Sequence, residues 1–190
     1  MLWILIAGVL LWSVVHLFPS VLPIRRNNLI ATYGNQYKGM FSLLIVLSLV
    51  LIVLGWRGSD FIPLYDPPTW GRHLNMLLML AAVILFGAFH APHNHIRYYL
   101  HHPMLTGVVV WGVGHLFANG DERSVTLFGG MIIWALINMH FINQRDGKEV
   151  KQVDTPTWQG DARLVGIALV IYTVLIFLHP YFAGVPVLAR

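Results

Sequence analysis

The chain has 190 residues, 57% of them hydrophobic and only 11% charged. Soluble domains carry about 25% charged residues, so the composition excludes an ordinary soluble domain and points to a bilayer. No cysteine is present, which excludes disulfides, a thiolate nucleophile and a CxxCH site; the net charge of +4 comes without a basic run that would read a nucleic acid.

Six apolar segments follow in chain order: residues 2–18, 39–56, 74–90, 103–118, 125–142 and 164–178. About 20 residues cross a hydrocarbon core, so all six are expected to span it, the fourth being short and glycine-rich. The expected fold is all-α, a polytopic membrane bundle of six transmembrane helices forming one domain over residues 1–190. The first segment has no Lys or Arg ahead of it and no clear small-residue cleavage site, so it is expected to stay as an anchor. Arg25, Arg26, Lys38, Arg97, Arg145, Lys148, Lys151 and Arg163 fall on one side of such a bundle. Arg57, Arg72, Arg123 and Arg190 fall on the other. The positive-inside rule then puts the larger set in the cytoplasm and both termini outside.

The first and fourth segments share a pattern. Gly8, Val9, Trp12, Val14, His16, Leu17 and Phe18 match Gly107, Val108, Trp111, Val113, His115, Leu116 and Phe117 in register. A second echo follows in the same order, Asp66-x-Pro68-Thr69-Trp70 and Asp154-x-Pro156-Thr157-Trp158. Together they suggest a duplication with half-repeats 1–98 and 99–190. Three spans per half would make the halves a 3+3 inverted repeat, with a site at the interface between them. Gly107, Trp111, Gly114, His115 and Ala118 recur at helical steps, and glycines on such a face let something flat or bulky approach the backbone.

The ten histidines sort by depth. His93, His95 and His101 are expected in a solvated loop. His90, His140 and His179 fall at helix ends, where an imidazole favourably meets the carbonyl end of the dipole. His16 and His115 lie inside apolar segments, where a polar ring marks a functional site by default. A hydrogen bond to a neighbouring helix is the bland alternative. The functional ones are axial ligation of haem iron, another metal, or a proton relay. Zinc would want three or four clustered ligands, and no Asp or Glu lies well inside the six segments. Pro103 is expected to start the fourth helix after His102, and Asn119-Gly120 to cap its end.

The blocks Tyr37-Lys38-Gly39, Arg72-His73-Leu74, His102-Pro103-Met104-Leu105-x-Gly107 and Trp111-x-x-x-His115-Leu116-x-Ala118-Asn119-Gly120 resemble the NnrU family of bacterial membrane proteins linked to denitrification. Zeta-carotene isomerases are a distant branch of it. The resemblance implies a multi-pass protein of the bacterial inner membrane, with both termini periplasmic in the topology above. It also implies a haem b whose ligands match His16 and His115; the paired spacing puts Trp12, Trp111, Gly107 and Gly114 around such a flat macrocycle, and Arg72 reads equally as an interface anchor or as a propionate partner. The lipid bilayer, denitrification enzymes and a hydrophobic small molecule are the partners expected. The activity implied is redox or isomerase-like. A small transporter, or an assembly factor for a nitric oxide or nitrite reductase, stands as the alternative.

Depth raises one difficulty. The two helices run antiparallel with each histidine past its midpoint, so the imidazoles are expected to differ in depth by roughly 12–18 Å. Two axial ligands of one iron lie only about 4 Å apart. By depth alone, His115 would pair with His73 and His16 with His102.

Overall fold

The computed structural model describes residues 1–147 and 154–188. Lys148, Lys151 and Arg190 lie outside the described residues. Helices account for nearly all the apolar sequence: α1 (Leu2–Val21), α2 (Pro23–Tyr33), α3 (Asn35–Gly58), α4 (Gly71–His90), α5 (His95–Tyr99), α6 (Pro103–Ala118), α7 (Glu122–Ser124), α8 (Gly130–Asp146) and α9 (Trp158–Ala183). A π-helical turn, Val125–Gly129, joins α7 to α8, and the three run on as one apolar helix. Five helices are long and apolar enough to cross a membrane: α1, α3, α4, Glu122–Asp146 and α9. The sixth expected span, α6, is apolar but only 16 residues long. At 1.5 Å per residue it reaches roughly 24 Å, short of a 30 Å core.

The helices neighbour one another in the order α3, α1, α8, α6, α4, α9 and back to α3. The tightest pairs are α1 with α3 and α4 with α6. Lipid offers no hydrophobic drive for helix association, so close approach over small residues has to supply it. A Cβ on Gly8 would sit 2.8 Å from the Ile52 backbone nitrogen, and one on Gly55 would overlap the Leu5 backbone. The large apolar side chains instead face outward, among them Trp3, Leu43, Leu77, Val170 and Phe177. The inner cluster is Leu105, Met131, Trp134 and Ala135, flanked by Trp12 and Trp111.

The neighbour order does not show a two-fold relation between the sequence halves. Equating α1 with α6 and α4 with α9 would make the α4–α6 pairing reappear between α9 and α1, and these two are not packed in that way. The charges nevertheless sort as expected. At one end Arg145 donates to the Pro19 carbonyl oxygen (3.3 Å); at the other Arg57 donates to that of Tyr181 (3.4 Å) and Arg72 to that of Val187 (3.3 Å).

The segment between α3 and α4 folds back on the end of α6. Leu64 and Tyr65 amides donate to the Gly120 carbonyl (2.8 and 3.1 Å), and the Glu122 amide to that of Ile62 (2.9 Å). The Tyr65 hydroxyl donates to the carbonyls of Leu116 and Asn119. Gly120 is required by space, since a Cβ there would overlap the Tyr65 carbonyl oxygen. Asn119 is the C-cap as expected, its side chain donating to the His115 carbonyl at 2.9 Å.

Candidate functional site

His16 and His115 adopt the same local geometry. His16 Nδ1 lies 2.9 Å from the carbonyl oxygen of Trp12, and His115 Nδ1 lies 2.9 Å from that of Trp111. A carbonyl only accepts, so Nδ1 carries the proton and the neutral ring leaves Nε2 with its lone pair. A ligating histidine is usually anchored through its other nitrogen in this way. In each unit the indole one turn earlier lies against the imidazole, with ring centroids 4.1 Å apart for Trp12–His16 and 5.2 Å for Trp111–His115.

Both units face the helix Glu122–Asp146, at different heights. Trp134 meets His16 edge-on at 5.4 Å and Trp12 at 5.7 Å. Phe128, carried on the π turn, stacks on His115 at 4.3 Å and meets Trp111 at 4.8 Å. Six residues of helix separate Phe128 from Trp134, roughly 9 Å of rise. Because α1 and α6 run in opposite directions, Trp12 and Trp111 both lie on the side of their histidine that faces the other unit. The depth between the two imidazoles is therefore filled with indole.

Among the described residues no hydrogen bond or ring contact joins His115 to His73 or His16 to His102. His73 is exposed on the first turn of α4. His102 Nε2 donates to Asn143 Oδ1 at 2.8 Å, nine residues of α8 or roughly 13 Å beyond Trp134. His179 lies near the end of α9. Its Nδ1 donates to the Val185 carbonyl at 2.6 Å. Among the described residues no group of three or more His, Cys, Asp or Glu could hold a metal ion.

The glycines do something other than expected. A Cβ on Gly107 would sit 2.9 Å from ring carbons of Phe86, and one on Gly114 2.7 Å from Asn75 Oδ1 and 2.9 Å from Met79 Cε. Helix α4 fills the small-residue face of α6, so Gly107 and Gly114 admit a helix and leave no slot there for a flat ligand. Arg72 is exposed and turned toward Val187.

His93 is exposed in a loop as expected, and His95 is half-buried; both are tied to the start of α9. His95 Nδ1 lies 2.5 Å from Asp161 Oδ2 of α9, and Asp161 also accepts from the His95 amide at 2.9 Å. His93 adopts a left-handed φ of 56° and accepts from the Thr157 amide at 2.8 Å, while buried Asn94 bonds the carbonyls of Ala88 and Ala91. This loop clamps α4 to the start of α9.

Four polar atoms are buried without a partner among the described residues: Trp12 Nε1, Trp134 Nε1, Tyr37 Oη and Asn75 Oδ1. Buried polar groups are nearly always satisfied, so each such group asks for an explanation. Two of them belong to the indoles that touch His16, and Tyr37 packs on Phe41, whose ring lies 6.0 Å from His16.

These positions lie within a stretch that one family model covers. The family model described as NnrU protein matches residues 4–187. The chain belongs to the NnrU family. No curated protein and no solved structure matches it. All the paired side chains of this NnrU-family chain fall inside the matched region.

For haem the residues give a divided answer. Each histidine alone has the chemistry of an axial ligand, with Nδ1 anchored and Nε2 open. The pair does not fit one iron: the two rings face points roughly 9 Å apart along α8, with Trp12 and Trp111 between them.

Proposed function

We propose that this NnrU-family protein binds haem b in the bacterial inner membrane through His16, and that it serves nitrogen-oxide metabolism as a redox protein. The observation that carries the reading is the surroundings of His16. Its Nδ1 is held by the Trp12 carbonyl, and the two indoles against it present Nε1–H donors with no partner. His115 has the same anchor, but Phe128 stacks on its ring and only Asn75 Oδ1, an acceptor, is unpaired nearby.

Haem supplies redox-active iron when bound. The chain's residues do the rest. The Trp12 carbonyl holds the proton on Nδ1, which fixes the tautomer and raises the basicity of Nε2. Trp134 and Phe41 close the edges of the imidazole against lipid and water. The Trp12 and Trp134 Nε1–H groups, buried without a partner, would donate to acceptor oxygens of a bound group. Arg25, Arg26, Lys38 and Arg97 gather at the His16 end, which the positive-inside rule makes cytoplasmic, with the termini periplasmic.

Haem content of detergent-purified protein from haem-replete cells tests this reading. Wild type is expected to carry about one haem b per chain, His16→Ala less than a tenth of that, with partial recovery on adding imidazole. Haem-free wild-type protein, or unchanged content in His16→Ala, would overturn it.

A further inference from the structure

Between α1 and α3 lies a cleft with a cavity volume of about 220 Å³, lined by Val14, Val15, Phe18, Tyr37, Met40, Phe41 and Leu44. Its lips face outward from the bundle, Val14 being 65% and Met40 61% exposed. At the surface of a membrane helix that direction is the bilayer. The only polar side chain in the lining is the Tyr37 hydroxyl, which is buried and unpaired. Tyr37 begins one of the blocks that mark the sequence, Tyr37-Lys38-Gly39, and neither helix packing nor His16 uses its hydroxyl. Gly39 beside it has nothing within 4 Å of a Cβ, so close packing does not account for the block.

We infer that this cleft binds the head group of a lipid-soluble quinone, with the Tyr37 hydroxyl donating to a ring carbonyl. Three features select that chemistry. The walls are apolar and three of the seven are aromatic rings (Phe18, Tyr37, Phe41), which suits a flat head group. The single donor asks for one acceptor, and a hydroxyl with no partner in an apolar site is costly until it finds one. The mouth opens to the bilayer near the ends of α1 and α3, so an isoprenoid tail can stay in lipid while the head enters. A phospholipid ester offers the same acceptor but gives the three rings nothing flat to lie against. The cleft shares Phe41 with the wall of His16, but the inference uses neither Nε2 nor the indole donors and so does not rest on haem binding there.

The test uses the whole protein in lipid nanodiscs and decylubiquinone as probe, with retained quinone extracted and counted against empty discs. Saturable binding of one probe per chain is expected. Tyr37→Phe, which keeps the ring, should weaken it about tenfold. Leu44→Trp should fill the cleft and abolish it. Leu43→Trp, on the outward face of the same helix, should leave it unchanged and shows that an added indole alone does not unfold α3. Binding no greater than to empty discs, or equal binding by wild type, Tyr37→Phe and Leu44→Trp, would overturn the inference. So would a co-purifying phospholipid that only Leu44→Trp loses, with no quinone retained by wild type. Each readout is chemical extraction, so it stands or falls separately from the haem content of the same preparation.

Discussion

The Trp12–His16 and Trp111–His115 units are alike in sequence and in their internal hydrogen bond, and unlike in most of what touches them. Unit one has α3 on one side and Trp134 on the other, with unpaired indole donors and a cleft beside it. Unit two has α4 packed into its glycines, Phe128 stacked on its imidazole and the Tyr65 loop tied over its end. A repeated motif thus sets the tautomer of a histidine, because that bond spans four residues of one helix. What the other nitrogen meets is decided by helices far away in sequence. The π turn sharpens the contrast, since it carries Phe128 onto the ring of His115.

The largest effects should come from the two aromatic residues that set the units apart. Phe128 and Trp134 are 4% and 5% exposed, and truncating a buried aromatic costs about 3–5 kcal/mol. Phe128→Ala and Trp134→Ala are each expected to lower unfolding stability by about that much in detergent. Only Trp134→Ala should also strip haem. Equal haem loss in both variants would erase the distinction.

Next come the matched glycines. Gly8→Ala and Gly107→Ala both overpack a helix pair, at about 1–3 kcal/mol each. Gly8 should cost more, because its nearest neighbour is the Ile52 backbone, whereas Gly107 first meets the movable ring of Phe86. Thermal melts in the same detergent would show the order, and a reversed order would mean that α3 yields more easily than α4.

Smaller differences are expected at the matched positions one turn further on. Ser20 Oγ donates to Asn138 Oδ1 at 2.8 Å between two buried side chains, and Ser20→Ala is expected to cost about 0.6 kcal/mol. Asn119→Ala removes the cap on the His115 carbonyl and should cost about 1 kcal/mol, judged by other helix caps. Denaturant titration resolves both.

The smallest effect is a pH dependence at His102. Burial holds this imidazole below its ordinary value, against the smaller upward pull of its bond to Asn143. Its folded pKa lies below the unfolded 6.5, so the unfolded chain binds the proton more readily. Stability is retained above that value and declines as pH falls through it. His102→Gln should flatten the profile of melting temperature between pH 7.5 and 5 slightly, and an unchanged profile would remove His102 from the account.

Much of the fold was legible in the sequence. The six apolar segments correspond to α1, α3, α4, α6, Glu122–Asp146 and α9, because twenty apolar residues in a row leave lipid as their only stable surroundings. The fourth segment's brevity was legible too, and so were Pro103 at the start of α6 and Asn119 at its end. What stayed hidden were the contacts between helices. Nothing local marks Phe128 as the partner of His115 or Trp134 as that of His16, and the glycines of α6 read equally well as a ligand slot or as a seat for α4. The partners of His93 and His95, Thr157 and Asp161, were equally hidden, lying some sixty positions later.

The central claim is that the two histidines are separate places, with haem iron at His16 alone. Electron paramagnetic resonance of the frozen ferric protein tests it directly, for wild type, His16→Ala and His115→Ala. The account predicts an axial high-spin signal from iron with one histidine ligand, lost in His16→Ala and kept in His115→Ala. A low-spin bis-histidine signal in wild type, converted by either substitution, would contradict it and place both imidazoles on one iron.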